Sequence, residues 1–238
     1  MSPQLAELLD DLAAANRILA HYGVLDGFGH VSARHPERPG CFLLSRSLAP
    51  ELVTPADVMT FDADSNAVDG DDRKPYVERY IHGEVYRARP EVMAVVHSHS
   101  PSVIPFAASS VKLRPIYHMS GFLSGGANVF DIRERFGCTD MLVRNTAQGQ
   151  ALVAQLGADA VILMRGHGFV AVADAIPLAV YRAMYTELNA SIQQRAIGLG
   201  GDVTYLDPQE AALADAANRV QTARPWALWK EKVRSGPA

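Results

Sequence analysis

Hydrophobic positions follow two periods along this chain, and the switches between them predict where helices and strands fall. Leu5, Leu8, Leu9, Leu12, Ile18 and Leu19 recur largely at helical spacing, which predicts an amphipathic helix over residues 3–22 that ends near Gly23. A glycine-rich turn, Asp26-Gly-Phe-Gly29, leads into short strands at His30-Val-Ser-Ala-Arg34 and Cys41-Phe-Leu-Leu-Ser45. Thr54-Pro-Ala-Asp57 reads as a capped turn before a strand at Val58-Met-Thr-Phe61, and residues 62–72 as a polar hairpin or loop. A helix is expected over residues 75–89, with Val77, Tyr80, Ile81 and Val85 inward, followed by a strand over 92–97. The pattern then predicts a helix over 100–109 with Pro101 in its first turn and a strand over 113–117. Next come a helix capped at Asn145-Thr146 and ending near Leu156, a buried strand over 160–164 and a long helix over 174–197. One or two helices follow Pro208, with a tail containing Trp226 and Trp229.

Strands and helices alternate without internal repeat, low complexity or a linker, which argues for one layered α/β domain over residues 1–238. A dinucleotide-binding reading fails, because Gly27-Phe-Gly29 lacks the third glycine of that fingerprint and no helix starts directly after it. The length allows an ample core. A formal charge of −4 and the lack of any Lys/Arg run give no reason to expect nucleic acid, so the expected partner is a small molecule. The two cysteines, Cys41 and Cys138, are far apart and in no metal-binding spacing, which makes a reducing compartment the expectation. The first helix has no basic start and apolar centre, and no apolar stretch approaches ~18 residues. The expected location is the cytoplasm, with no membrane partner.

The chemistry concentrates in Ala94-Val-Val-His97-Ser-His99 and Met164-Arg-Gly-His-Gly168. On a strand, His97 and His99 share a face and stand about 7 Å apart along it, which suits two ligands of one metal ion. His167, between glycines that let the backbone approach closely, would complete a three-imidazole site with positions left open for substrate. Glu78, one helix upstream, supplies a carboxylate as fourth ligand or base. Eight histidines in 238 residues also allow a plainer reading, two satisfied histidines at the mouth of a strand.

Five motifs in order resemble the class II aldolase and adducin family from the first helix to about residue 200: Gly29-His-Val-Ser-Ala-Arg34, Val53-Thr-Pro-Ala-Asp57-Val58, Glu78-Arg-Tyr-Ile-His82 with Arg89-Pro90, Val95-Val-His97-Ser-His99 and Gly166-His-Gly168. The resemblance implies a three-layer α/β/α fold with a central mixed, largely antiparallel sheet, and a homotetramer. It also implies a metal held by His97, His99 and His167 with Glu78 beside them. The small phosphate-binding residues of the family's sugar-phosphate aldolases are replaced here by Phe28-Gly-His30, Ser45-Arg46 and Tyr76-Val77, and a tyrosine that donates a proton across the subunit interface by His118. Gly29-His-Val-Ser, Leu44-Ser-Arg-Ser47-Leu-Ala-Pro50 and Arg114-Pro-Ile-Tyr-His118 resemble the decarboxylase branch, which acts on hydroxylated aromatic or pyridine dicarboxylic acids and on ring-cleavage dienoates.

Loss of carbon dioxide from such an acid leaves an electron pair that needs a sink, and a divalent metal on the neighbouring oxygen supplies one. Imidazole suits several divalent ions, Zn²⁺ and Mn²⁺ among them, and a carboxylate substrate leans toward Mn²⁺. The expected roles are acid/base catalyst or ligand for Glu78, against a helix-terminal Glu facing the dipole. His118 is expected to donate a proton, in a neighbouring subunit's site, against a solvated loop histidine. His30, Ser45 and Arg46 are expected to bind the substrate's carboxylate or hydroxyl, with a surface salt bridge the plainer reading of Arg46. Arg79 and His82 read as structural. The rival functions are an aldolase or retro-aldolase for an unphosphorylated hydroxy acid or sugar, a non-catalytic adducin-like module, and a non-haem iron dioxygenase, the last in conflict with the long helices.

Overall fold

The computed structural model describes residues 2–234. The first helix, α1 (Pro3–His21), begins where Ser2 Oγ accepts from Leu5 N–H, and it is followed by β1 (His30–Arg34), β2 (Phe42–Ser45) and β3 (Val58–Phe61). Thr54 and Asp57 form the capping box of a short 3₁₀ turn ahead of β3. Then come α2 (Arg79–Ala88), β4 (Ala94–Ser98), α3 (Ile104–Ala107), β5 (Asn128–Phe130) and α4 (Arg133–Phe136). The chain closes with α5 (Thr146–Leu156), β6 (Val161–Met164), β7 (Gly168–Ala173), α6 (Ile176–Gly198), α7 (Pro208–Arg219) and α8 (Ala223–Arg234).

The strands form one sheet in the order β3-β2-β1-β4-β7-β6-β5, antiparallel throughout except for the parallel pair β5/β6. Alternate side chains divide into two cores. Val31, Ala33, Leu43, Ala94, Val96, Phe169 and Ala171 pack with Leu12, Ile18, Val180 and Trp229, placing α1, α6 and α8 on one face. Phe42, Leu44, Val95, Ile162, Val170 and Val172 pack with Ile81, Val85 and Leu152, placing α2 and α5 on the other. This is the three-layer α/β/α arrangement with a mixed, largely antiparallel sheet that the motifs implied. Within the described residues no helix is long and apolar enough to cross a membrane.

Several elements depart from the sequence pattern. The helix expected over 75–89 begins only at Arg79, because Pro75 bridges Arg46 and the Tyr76 hydroxyl donates to the Leu48 carbonyl, tying residues 74–76 to the end of β2. Val77 is consequently exposed instead of inward. The helix expected over 100–109 is reduced to α3, since Pro105 is compatible only with a first turn and the helix starts around it. No strand forms over 113–117. That stretch is held instead by α6 side chains: Gln193 accepts from Arg114 N–H and donates to the Lys112 carbonyl, and Asn189 accepts from Ile116 N–H and donates to the Arg114 carbonyl. Strands β5 and β7 and helix α4 were not expected from the pattern.

Candidate metal centre

The sheet register brings the candidate histidines together at one end of the central strands. His97, near the end of β4, pairs with His30 on β1 and Val170 on β7, and so points to the face covered by α2. Glu78 occupies the N-cap position of α2, at the same face. His167 lies in the three-residue turn between β6 and β7, whose middle residue, Gly166, takes φ +60°. Gly168 is the point of closest approach: a Cβ there would stand 1.9 Å from the Ser98 carbonyl oxygen and 3.0 Å from His99 Cα. Only glycine lets the His167 turn lie against the segment carrying His99.

Each of Glu78, His97, His99 and His167 offers a ligand atom, and these four atoms lie within 4.8 Å of one another. Glu78 Oε2 is 3.4 Å from both His97 Nε2 and His167 Nε2, and His99 Nε2 is 3.0 Å from His167 Nε2. The other nitrogen of each imidazole is committed elsewhere. His97 Nδ1 lies 3.2 Å from the Phe169 carbonyl oxygen, His167 Nδ1 3.0 Å from that of Met141, and His99 Nδ1 3.1 Å from Asp26 Oδ2. All three partners only accept, so each Nδ1 carries a hydrogen, and a ring in its neutral form presents a bare Nε2 to the centre. His97 Nε2 is buried without a hydrogen-bond partner, and the two bare nitrogens of His99 and His167 face each other at 3.0 Å. A divalent cation resolves both features. With bonds of about 2.1 Å, neighbouring ligands of a tetrahedral ion stand roughly 3.4 Å apart, close to the spacings found.

The electrostatics follow from this packing. Burial alone would raise the Glu78 carboxyl, but His97 and His167 outweigh it and hold the group well below the usual carboxylate range. Burial pushes the His167 imidazole down, and the adjoining Glu78 carboxylate more than reverses this, leaving it raised. His99 is lowered by burial and by His97, against the pull of Asp26. Asp26 is itself built in by the glycine-rich turn, where its Oδ1 accepts from the N–H groups of Phe28 and Gly29. Met141, whose carbonyl holds His167, has φ 71°, a conformation costly for a residue with a side chain and found where structure over-determines it.

The remaining predicted residues are placed as follows. His30 is buried beside the cluster, its ring centroid 5.1 Å from that of His97 and its Nδ1 2.7 Å from His82 Nε2. Ser45 is buried at the end of β2, and Arg46 pairs through Nε with Asp57 Oδ1 at 2.8 Å. His118 is exposed and outside the cluster, in a cleft of about 520 Å³ shared with Tyr181, Tyr185 and Asn218. Sequence reasoning missed the three anchors of the imidazoles, Asp26 and the carbonyl groups of Met141 and Phe169, of which only the Asp-Gly-Phe-Gly turn left any trace.

The model of the class II aldolase and adducin N-terminal domain matches residues 10–194. The chain belongs to the class II aldolase and adducin family. Over 92% of its length it is 39% identical to the decarboxylase tropJ of Talaromyces stipitatus, covering 91% of that protein. It is also 30% identical to a 3,4-dihydroxyphthalate decarboxylase of Arthrobacter keyseri over 90% of this chain and 89% of that one. Among solved structures, an aldolase II superfamily protein from Pseudomonas syringae superposes with a TM-score of 0.82 at 26% identity, covering 99% of this chain and 96% of that one. An L-fuculose 1-phosphate aldolase from Glaciozyma antarctica shares the fold, with a TM-score of 0.78 at 23% identity over 98% and 90% of the two chains. Family and relatives together support a lyase activity.

Proposed function

We propose that this protein is a metal-dependent decarboxylase of a hydroxylated aromatic or pyridine mono- or dicarboxylic acid, or of a related ring-cleavage product. The observation that carries this reading is the likeness to two named decarboxylases over about nine-tenths of both chains, one of them acting on 3,4-dihydroxyphthalate. The site chemistry is consistent with it. His97, His99 and His167 would hold one divalent ion, Mn²⁺ or Zn²⁺, with Glu78 at its side, and the bound ion supplies a Lewis acid for charge developing on the substrate's hydroxyl oxygen.

The chain's own groups divide the remaining work. Glu78, kept ionised by its histidine neighbours, takes the proton of the substrate hydroxyl. The bond between ring carbon and carboxyl carbon breaks, carbon dioxide leaves, and its electron pair stays on the ring, where a proton takes the vacated position. His118 delivers that proton in the site of a neighbouring subunit of a homotetramer. Arg46 uses Nε for Asp57, and its terminal nitrogens are suited to a substrate carboxylate; Ser45 and His30 complete the substrate contacts.

The test is carbon dioxide release by metal-loaded protein offered 3,4-dihydroxyphthalate and a panel of ortho-hydroxy benzoates and hydroxypyridine dicarboxylates, with chelator-treated protein as control. Metal-dependent release is expected. Silence across the panel, with metal bound and an aldehyde released from a hydroxy acid or sugar, would transfer the reading to aldol cleavage.

A further inference from the structure

Behind the metal centre a line of hydrogen bonds leads to His30 from His82, Ser32 and Tyr86, three residues that neither metal binding nor the decarboxylation scheme uses. His30 Nδ1 is 2.7 Å from His82 Nε2, His82 Nδ1 is 2.5 Å from Ser32 Oγ, and Ser32 Oγ is 2.8 Å from the Tyr86 hydroxyl. All four side chains are at most 6% exposed. The line follows from the secondary structure: His30 and Ser32 are two apart on β1 and share the face toward α2, while His82 and Tyr86 are four apart on α2 and share the face toward β1.

The direction of the line is set at its buried end. The Tyr86 hydroxyl is buried, and the one side-chain hydrogen-bond partner of its oxygen, among the described residues, is Ser32 Oγ, which is therefore the one acceptor within reach of its hydrogen. If Tyr86 donates to Ser32, then Ser32 donates to His82 Nδ1, His82 donates from Nε2 to His30 Nδ1, and His30 carries its hydrogen on Nε2. The reverse order strands the Tyr86 hydrogen in the core, which is unfavourable for a buried hydroxyl. His30 Nε2 has no protein partner among the described residues, and its ring lies against that of His97. We propose that His82, Ser32 and Tyr86 are positioning residues that fix His30 as the neutral Nε2–H tautomer, so that the site presents an N–H donor to an anionic oxygen of the substrate. A ring free to take the other tautomer would turn a bare nitrogen toward that oxygen and repel it.

The proton map does not depend on which acid is turned over; the substrate contact rests on the decarboxylase reading. Neutron diffraction from crystals of the deuterated full chain should show deuterium on Nε2 of both His30 and His82, and none on either Nδ1. Deuterium on His30 Nδ1 overturns the proposal. A second measurement is the Kd of 2-hydroxybenzoate for metal-loaded protein. His82→Leu, which cannot donate, should weaken it by roughly 10-fold or more, the loss of one hydrogen bond to a charged group. His82→Gln, which places an amide N–H near the lost Nε2, should recover most of that loss, with equal metal content in all three proteins. Equal Kd values across the three proteins also overturn the proposal. Failure of the wild type to bind 2-hydroxybenzoate counts against the substrate reading instead, and the deuterium positions still decide the tautomer.

Discussion

Replacing Gly168 with alanine should damage the metal centre without altering any ligand. The added Cβ would sit 1.9 Å from the Ser98 carbonyl oxygen and 2.9 Å from its carbonyl carbon. A comfortable C···O approach is about 3.3 Å, so the two backbones must part by on the order of 1.4 Å. Sites of this kind tolerate only about 0.5 Å of displacement. The movement separates His167 from the β4 end that carries His97 and His99, and metal affinity should fall on the order of 10- to 100-fold, as when a ligand loses its support. Overpacking of about 1–3 kcal/mol corresponds to a drop in Tm of roughly 3 to 10 °C in a chain of this size. Gly166→Ala is the control. Its φ of +60° makes alanine costly by about 1–2 kcal/mol, but the new Cβ meets only the flexible Met141 Cε, at 3.2 Å. It should lose stability and keep metal affinity within about 3-fold. Calorimetric titration of Mn²⁺ and Zn²⁺ into the metal-free proteins, with thermal scans of each, separates the two effects. Wild-type affinity in Gly168→Ala would refute the argument that the close approach holds the ligands in register.

His97→Ala removes a ligand at the buried centre of the cluster, and elemental analysis after gel filtration should find little bound metal; full occupancy would exclude His97 as a ligand. Glu78→Gln keeps an amide oxygen for the Val143 N–H that Glu78 Oε1 now receives, so it should retain much of the metal while losing on the order of 10²- to 10⁴-fold in rate. Undiminished turnover in that variant would end the catalytic role of Glu78. Burial, with His97 and against Glu78, lowers the His82 imidazole from 6.5 to about 3 in the folded chain. The unfolded chain therefore binds this proton first, and the stability of the metal-free protein is complete above about pH 6.5 and falls as the pH drops from there toward 3, by on the order of 1.4 kcal/mol per pH unit. Urea unfolding across this range should show a shallower decline in His82→Gln, and identical slopes in the two proteins would be the contrary result.

The clustering of His97, His99 and His167 was legible because their positions depend on short-range facts: strand periodicity places His97 and His99, and the flanking glycines mark His167. The layered fold was legible for the same reason. Strand β7 was not, because Gly168-Phe-Val-Ala-Val-Ala173 is buried along its whole length between two neighbours and carries no alternation. The late start of α2 depends on Pro75 and Tyr76 meeting the end of β2, about thirty residues earlier in the chain. Met141 and Phe169 act through carbonyl groups, which every residue has, so no side-chain pattern could single them out. His82 was read as a packed helix histidine, and it is buried; its bonds to His30 and Ser32 needed the pairing of β1 with α2 to become visible.

The amides of Asn189 and Gln193 stand in for a missing neighbouring strand along residues 112–116 and deliver the chain to His118. A strand partner would have tied that segment to the sheet through backbone groups shared by all twenty amino acids. Here two side chains on one face of α6 do so, four positions apart. The approach to His118 can thus be re-aimed by point substitution at 189 or 193 while every ladder of the sheet stays intact, which gives selection a handle on the cleft around His118 that is separable from the scaffold.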